Sequence, residues 1–205
     1  MVRALLGRGV LIMAIKNGTG MQRKRGPGRA DLESAIDALV KQELLVGFPA
    51  ETSERKEVEG DEDMTNAALA YIHDNGMPEQ NIPQRQFMRP AINEVMPTVR
   101  RKMLGLAKKV AGGSNADEVE KGFHSVGLTV QRAIRAKLNE GIPPPLSDRT
   151  LRERAARGRE GAMWELAWRD AGAPPGVELA KPLIDTAQMR NAVNYVVRDR
   201  KKRRK

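Results

Sequence analysis

The stretch Ala70-Tyr71-Ile72-His73-Asp74-Asn75-Gly76-Met77-Pro78-Glu79-Gln80-Asn81-Ile82-Pro83-Gln84-Arg85-Gln86-Phe87-Met88-Arg89-Pro90 decides how this chain is read. Ala67–His73 at its head is taken as a strand. The alternation is imperfect, with Ala68, Ala70 and Ile72 set against Leu69, Tyr71 and His73, so both faces are expected to be partly covered. Gly76 then supplies a turn. Pro78 and Pro83 suppress helix and keep the following residues extended as an arm. Phe87 and Met88 are the apolar anchors that dock the end of this arm, and a helix starts close behind them.

Downstream, Ile92, Val95, Met96, Val99, Met103, Leu106 and Val110 recur at spacings of three and four and give one apolar helical stripe. Pro97 interrupts it, so the helix is kinked or starts its regular part there. Gly112-Gly113 ends it. Asn115 with Glu118 forms a variant capping box, opening a second helix with Val119, Phe123, Val126, Val130, Ile134 and Leu138 on one side and Gly141 at its end. Two amphipathic helices joined by a short glycine turn predict a hairpin lying on a sheet. Pro143-Pro144-Pro145 reads as a polyproline spacer. Ser147 caps a basic helical stretch through Arg159. Trp164 and Trp168, four apart on one helical face, form either a packed satellite cluster or a docking face for a neighbouring subunit. Asp185 or Thr186 caps a short helix to Ala192, and Asn194–Arg198 closes as a strand.

Upstream, Asp31 caps a helix to about Lys41, with Leu32, Ile36, Leu39 and Val40 on one side. Glu43–Pro49 is a buried strand whose Leu44-Leu45-Val46 run ends at Gly47. Glu51–Asp63 carries seven acids and two bases and reads as an exposed hairpin loop between two strands. Its Asp61-Glu62-Asp63 lacks the glycine and distal glutamate of a calcium loop. The expected class is α+β, with a small, mostly antiparallel sheet from strands near 43–49, 67–73 and 194–199 packed against the helical hairpin. Residues 1–30 form a basic, glycine-rich extended arm, with a short strand possible at Val10–Ile15 and Met21 an alternative start. Residues 31–198 form one domain with a helical insert near 147–180, and 199–205 a basic tail.

Charge is unevenly placed. The chain of 205 residues has a net charge of +10, of which residues 1–30 contribute +7 and residues 198–205 contribute +6, leaving −3 for the body. A groove-reading nucleic-acid domain concentrates its charge on a folded face. Basic tails instead bind polyanions without sequence preference, or acidic partner surfaces. Arg200, Lys201, Lys202, Arg203, Arg204 and Lys205 are the residues for such contacts, with DNA or with an acidic neighbour. Aromatic residues make up 3% of the chain, so the core rests on aliphatic side chains and is thin enough to want completion by neighbours. The absence of cysteine excludes disulfides and thiolate metal sites. No stretch reads as an export signal or a membrane span, and neither membrane contact nor a cofactor is expected.

Nothing in the chain assembles into catalytic chemistry. His73 and His124 have no ligand-like spacing and no nucleophile or orienting acid paired with them in sequence. Gly26-Pro27-Gly28 is followed by Arg29, not by a phosphate-loop signature. The chain is expected not to be an enzyme.

A second block, Lys181-Pro182-Leu183-Ile184-Asp185-Thr186-Ala187-Gln188-Met189-Arg190-Asn191-Ala192-Val193-Asn194-Tyr195-Val196-Val197, completes the pattern. Together with Ala70–Pro90 it resembles the neck and tail-completion (virion morphogenesis, minor tail) proteins of long-tailed bacteriophages. Those proteins often carry a tyrosine-rich strand, an "NIPxRxFxRP" arm and, later, "PLIDTGQLRNSITYVV". Ala187 stands where that pattern has glycine, inside what is read as helix, so little is expected to change. The resemblance covers roughly residues 41–198 and leaves out the N-terminal extension and the tryptophan insert. It implies a structural protein at the head–tail junction or tail top, forming a homo-oligomeric ring, six-fold by expectation, around the DNA channel. Its partners would be other neck and tail proteins and, non-specifically, genomic DNA. Its place would be the virion, and the host cytoplasm during assembly. Candidate subunit contacts are Ile82, Phe87, Met88, Arg89, Trp164, Trp168, Asp185, Met189 and Tyr195. Tail terminators and adaptor rings are the near alternatives. A non-specific nucleic-acid binder with basic tails is the alternative of another class.

Overall fold

Two helices of 24 residues carry the fold, and everything else is arranged around them. The computed structural model describes residues 29–49 and 64–199. In chain order these hold α1 (Arg29–Lys41), β1 (Gln42–Gly47), α2 (Asn66–Asn75), a 3-10 turn at Pro78–Gln80, α3 (Met88–Ala111), α4 (Ala116–Asn139), α5 (Asp148–Ala156), α6 (Glu160–Asp170), α7 (Gln188–Ala192) and β2 (Asn194–Asp199). The class is α+β. The N-terminal extension, the acidic loop and the basic tail fall outside the described residues.

α3 and α4 form the expected hairpin. α3 runs unbroken through Pro97. At its end, Gly113 takes a φ of 100°, and the Gly113 and Ser114 amides return to the Val110 and Lys109 carbonyls. Asn115 caps α4 by accepting from the Glu118 amide at 3.0 Å.

The sheet is a two-stranded antiparallel ribbon of β1 and β2. Leu44 lies opposite Val197 and Val46 opposite Tyr195. These four residues face the helices: Leu44 and Val197 pack on Ala35, Leu106, Val119 and Phe123, and Val46 joins the main core of Phe87, Ala91, Ile134, Leu138, Leu183, Met189 and Val193. Tyr195 crosses Gly127 so closely that a Cβ there would stand 2.4 Å from its ring. On the outer face Glu43 and Arg198 pair at 2.9 Å.

The third expected strand is a helix. Ala67–His73 lies within α2, capped by Thr65, whose hydroxyl accepts from the Ala68 amide at 3.1 Å. Three alanines in this segment favour helix and fit a pleated surface poorly. The buried positions Asn66 and Ala70 are four apart, a helical and not a strand spacing. The acidic segment therefore links a strand to a helix, not two strands of a hairpin.

The arm is also not extended throughout. Met77 and Ile82 exchange two backbone hydrogen bonds, of 2.8 and 3.0 Å, around the Pro78–Gln80 turn, and Asn81 takes the left-handed conformation. Pro78 fits because the first position of such a turn needs no amide donor. The Pro143–Pro145 segment departs from a polyproline rod: it bends at Pro143-Pro144, whose peptide bond is cis. The stretch expected as one helix through Arg159 ends at Ala156, with Gly158 at a φ of 76° before α6 begins.

Candidate docking surface

The segments 81–90 and 181–197 meet inside the fold. Phe87 is fully buried and sits edge-on to Phe48, with ring centroids 6.3 Å apart. Met189 and Val193 pack in the same cluster. Asp74 accepts from the Phe87 and Met88 amides at 2.8 and 3.0 Å, so it supplies the cap that Phe87 cannot give α3. Of the candidate contact residues, Arg89 is exposed, Ile82 and Met88 are half-buried, and Phe87 and Met189 are core. Tyr195 is half-buried, its hydroxyl 3.2 Å from Nδ1 of His124.

Arginines fasten these blocks to the rest of the chain. Arg85 is buried and donates to the carbonyls of Pro144 and Pro145. Arg154 donates to three carbonyls in one turn, those of Lys181, Pro182 and Ile184. Burial pulls both guanidinium pKa values down, and for Arg85 the charge of Arg154 adds to the effect. Of the two caps expected for α7, Asp185 instead pairs with Arg157 at 2.9 Å and Arg159 at 2.8 Å, and the Thr186 hydroxyl accepts from the Gln188 amide only at 3.5 Å. Ala187 occupies that cap, with a φ of 59° and outside the helix interior where it was placed from sequence. Glycine takes this conformation without the steric cost a Cβ brings.

The surface differs from this interior most on α6. Trp164 is 65% exposed and Trp168 61%, and Met163 beside them is also exposed. Residues four apart on a helix stand one above the other, so the tryptophans make a continuous apolar face. The satellite-cluster alternative gives way: the packed side of α6 is made by Ala162 and Leu166 against Leu146, Leu151 and Ala180. Gly161 allows this approach, since a Cβ there would stand 2.1 Å from the Leu179 carbonyl.

A buried ion pair holds the platform rigid. Glu165 is 2% exposed and pairs with Arg169 at 2.8 Å, while the Gly176 amide donates to it at 2.7 Å. Arg169 reaches on to the Leu146 carbonyl and to Asp148 at the start of α5. Burial alone would lower the Arg169 pKa, but hydrogen bonds to Asp148 and Glu165 carry it up. A buried carboxylate is tolerable only when paired and hydrogen-bonded in this way. The signal for it in the sequence is the spacing: Glu165 and Arg169 stand four apart, as the tryptophans do, shifted by one residue.

A polar cleft of about 220 Å³ opens between α2 and the Pro182–Met189 turn, with His73, Arg154, Arg157 and Asp185 on its walls. Its charges are largely spent on each other and on backbone. His124 stands 3.6 Å from Glu120 on the same helix. Among the described residues no group of three or more His, Cys, Asp or Glu side chains is placed to hold a metal ion. None of their helices is long and apolar enough to cross a membrane.

A scan against protein-family models, a search of curated proteins and a search of solved structures each find no match to this chain.

Proposed function

We propose that this protein is a structural component of a long-tailed bacteriophage virion, acting at the head–tail junction or tail top in a subunit ring around the DNA channel. There it completes or joins the tail. A tail terminator or adaptor ring is the near variant. The family likeness of residues 70–90 and 181–197 supplies the virion assignment, with one departure: Tyr71 lies in helix α2, where the pattern has a strand. The observation that carries an assembly role is the Trp164–Trp168 face. Tryptophan dominates the energetics of protein interfaces, and large exposed apolar faces are uncommon on proteins that act alone. Here both tryptophans of the chain stand outward on a helix whose other side is locked by a buried ion pair.

Mass spectrometry of purified particles tests the reading. The protein is expected in mature virions at low copy number. Presence in infected-cell lysate with absence from mature particles would replace the structural role with that of a chaperone or regulator.

A further inference from the structure

The arginines of this fold are mostly spent. Arg85, Arg135 and Arg154 hold carbonyls, and Arg157, Arg159, Arg169 and Arg198 pair with carboxylates. The second half of α3 breaks this habit. Arg100, Arg101, Lys108 and Lys109 are exposed. Among the described residues no carboxylate lies within ion-pair distance of any of them. Arg101 makes one long hydrogen bond, of 3.3 Å, to Thr98. Successive residues turn by about 100° around a helix, so Arg100, Arg101 and Lys108 fall on the half of α3 opposite its buried Leu106 and Val110, and Lys109 stands at the edge of that half, towards α4. Lys121 of α4 joins them across a groove of about 420 Å³, where Glu118 is the facing acid. Asp117 and Glu120 lie further round α4. Lys102 is held by Ser125 and Thr129 and stays out of the set.

We propose that this face of α3 is a phosphate-backbone contact surface for double-stranded nucleic acid. From Arg100 to Lys109 the cations extend about 13 Å along the helix axis and about half-way round it. Over that length a duplex presents about four phosphates on its near strand. The face is convex and carries no aromatic side chain, whereas single strands are gripped by stacking platforms. It also lacks a pocket of fixed donors such as would order an acidic peptide. Long flexible cations on an open helix match a regular phosphate array, whatever its sequence. The surface lies on α3, within the described residues, and it is independent of the ring assembly proposed above because it belongs to the single chain.

The test uses the full chain and a mixed-sequence DNA duplex, with affinity measured across a salt series. One variant carries Arg100→Gln, Arg101→Gln, Lys108→Gln and Lys109→Gln. A second removes the same charge from the tail by Lys201→Gln, Lys202→Gln, Arg203→Gln and Arg204→Gln. Unchanged thermal melting certifies both folds. The helix variant is expected to reduce the slope of log affinity against log salt by about 3–4, close to 0.9 for each phosphate no longer neutralised, and by clearly more than the tail variant. Equal losses in both would reflect bulk charge and overturn the assignment. So would an unchanged slope in the helix variant, or absent binding by the parent chain. Loss of binding to a polyglutamate probe with DNA binding intact would give the surface to an acidic protein instead.

Discussion

The Arg85 guanidinium donates two hydrogen bonds to the single carbonyl oxygen of Pro144, at 3.0 Å from Nε and 2.8 Å from Nη2. The two residues are 59 positions apart, so one side chain fastens the arm before α3 to the turn before α5.

Arg85→Lys keeps the charge and loses this fork. Hydrogen bonds from charged groups contribute about 1.5–3 kcal/mol. A loss of about 2 kcal/mol is therefore expected, measured as a lower urea midpoint with an unchanged slope. A neutral outcome would mean that water or a lysine ammonium serves the Pro144 carbonyl equally well.

Phe87→Ala opens a hole in the main core where Phe48 and Val193 now pack. Such a change costs about 3–5 kcal/mol. For this residue the burial makes loss of folded protein the first expected effect, ahead of any defect in joining subunits. Thermal melting of the isolated variant checks it.

Ala187→Gly should stabilise. A left-handed conformation costs a residue with a Cβ about 1–2 kcal/mol, part of which is offset by the extra freedom glycine brings to the unfolded chain. A net gain of about 0.5–1 kcal/mol is expected in denaturant unfolding. A loss would show that the alanine methyl contributes packing that outweighs the strain.

Trp164→Ala combined with Trp168→Ala should leave the isolated subunit within about 0.5 kcal/mol of its parent, as exposed positions do. Assembly should fail in the same variant, seen as unjoined heads and tails or as a smaller species on sizing. The chain has only these two tryptophans, so its intrinsic emission reports on this face alone. A blue shift on adding the partner is the direct signature of burial. Assembly that proceeds normally with both rings removed would take α6 out of the interface.

Gly161→Ala tests how α6 is seated. The added methyl meets the Leu179 backbone, which cannot swing aside as a side chain can. Loss of about 1–3 kcal/mol is expected from overpacking, together with displacement of the tryptophan face.

The helical hairpin was legible because its stripes are long and its ends carry their own punctuation: Gly112-Gly113, then Asn115 with Glu118. β1 and β2 were legible for the opposite reason, as short β-branched or aliphatic runs with no helical period. α2 was misread because over seven residues a period of 2 and a period of 3.6 select overlapping sets. The decisive mark was Thr65, one residue before the helix begins. Arg85, Arg154 and Arg169 show a deeper limit. Sequence composition counts each as surface charge, and only the folded chain places a carbonyl or carboxylate beside it. The tryptophan pair was visible as a pair from its spacing, but whether it faced in or out depended on which side of α6 the buried Glu165 claimed.

The ribbon of β1 and β2 gives the fold a clock. Glu43 and Arg198, paired across it, lie 155 positions apart. At about 5–20 residues per second, a ribosome needs roughly 8–30 s to deliver the second strand after the first. Throughout that interval β1 waits for β2, and the helical hairpin that supports it is complete only once Asn139 has been made. A chain broken off before residue 194 never closes the ribbon and keeps that edge open to quality-control binding. Closure therefore marks synthesis through β2, separating chains that have reached it from those that have not.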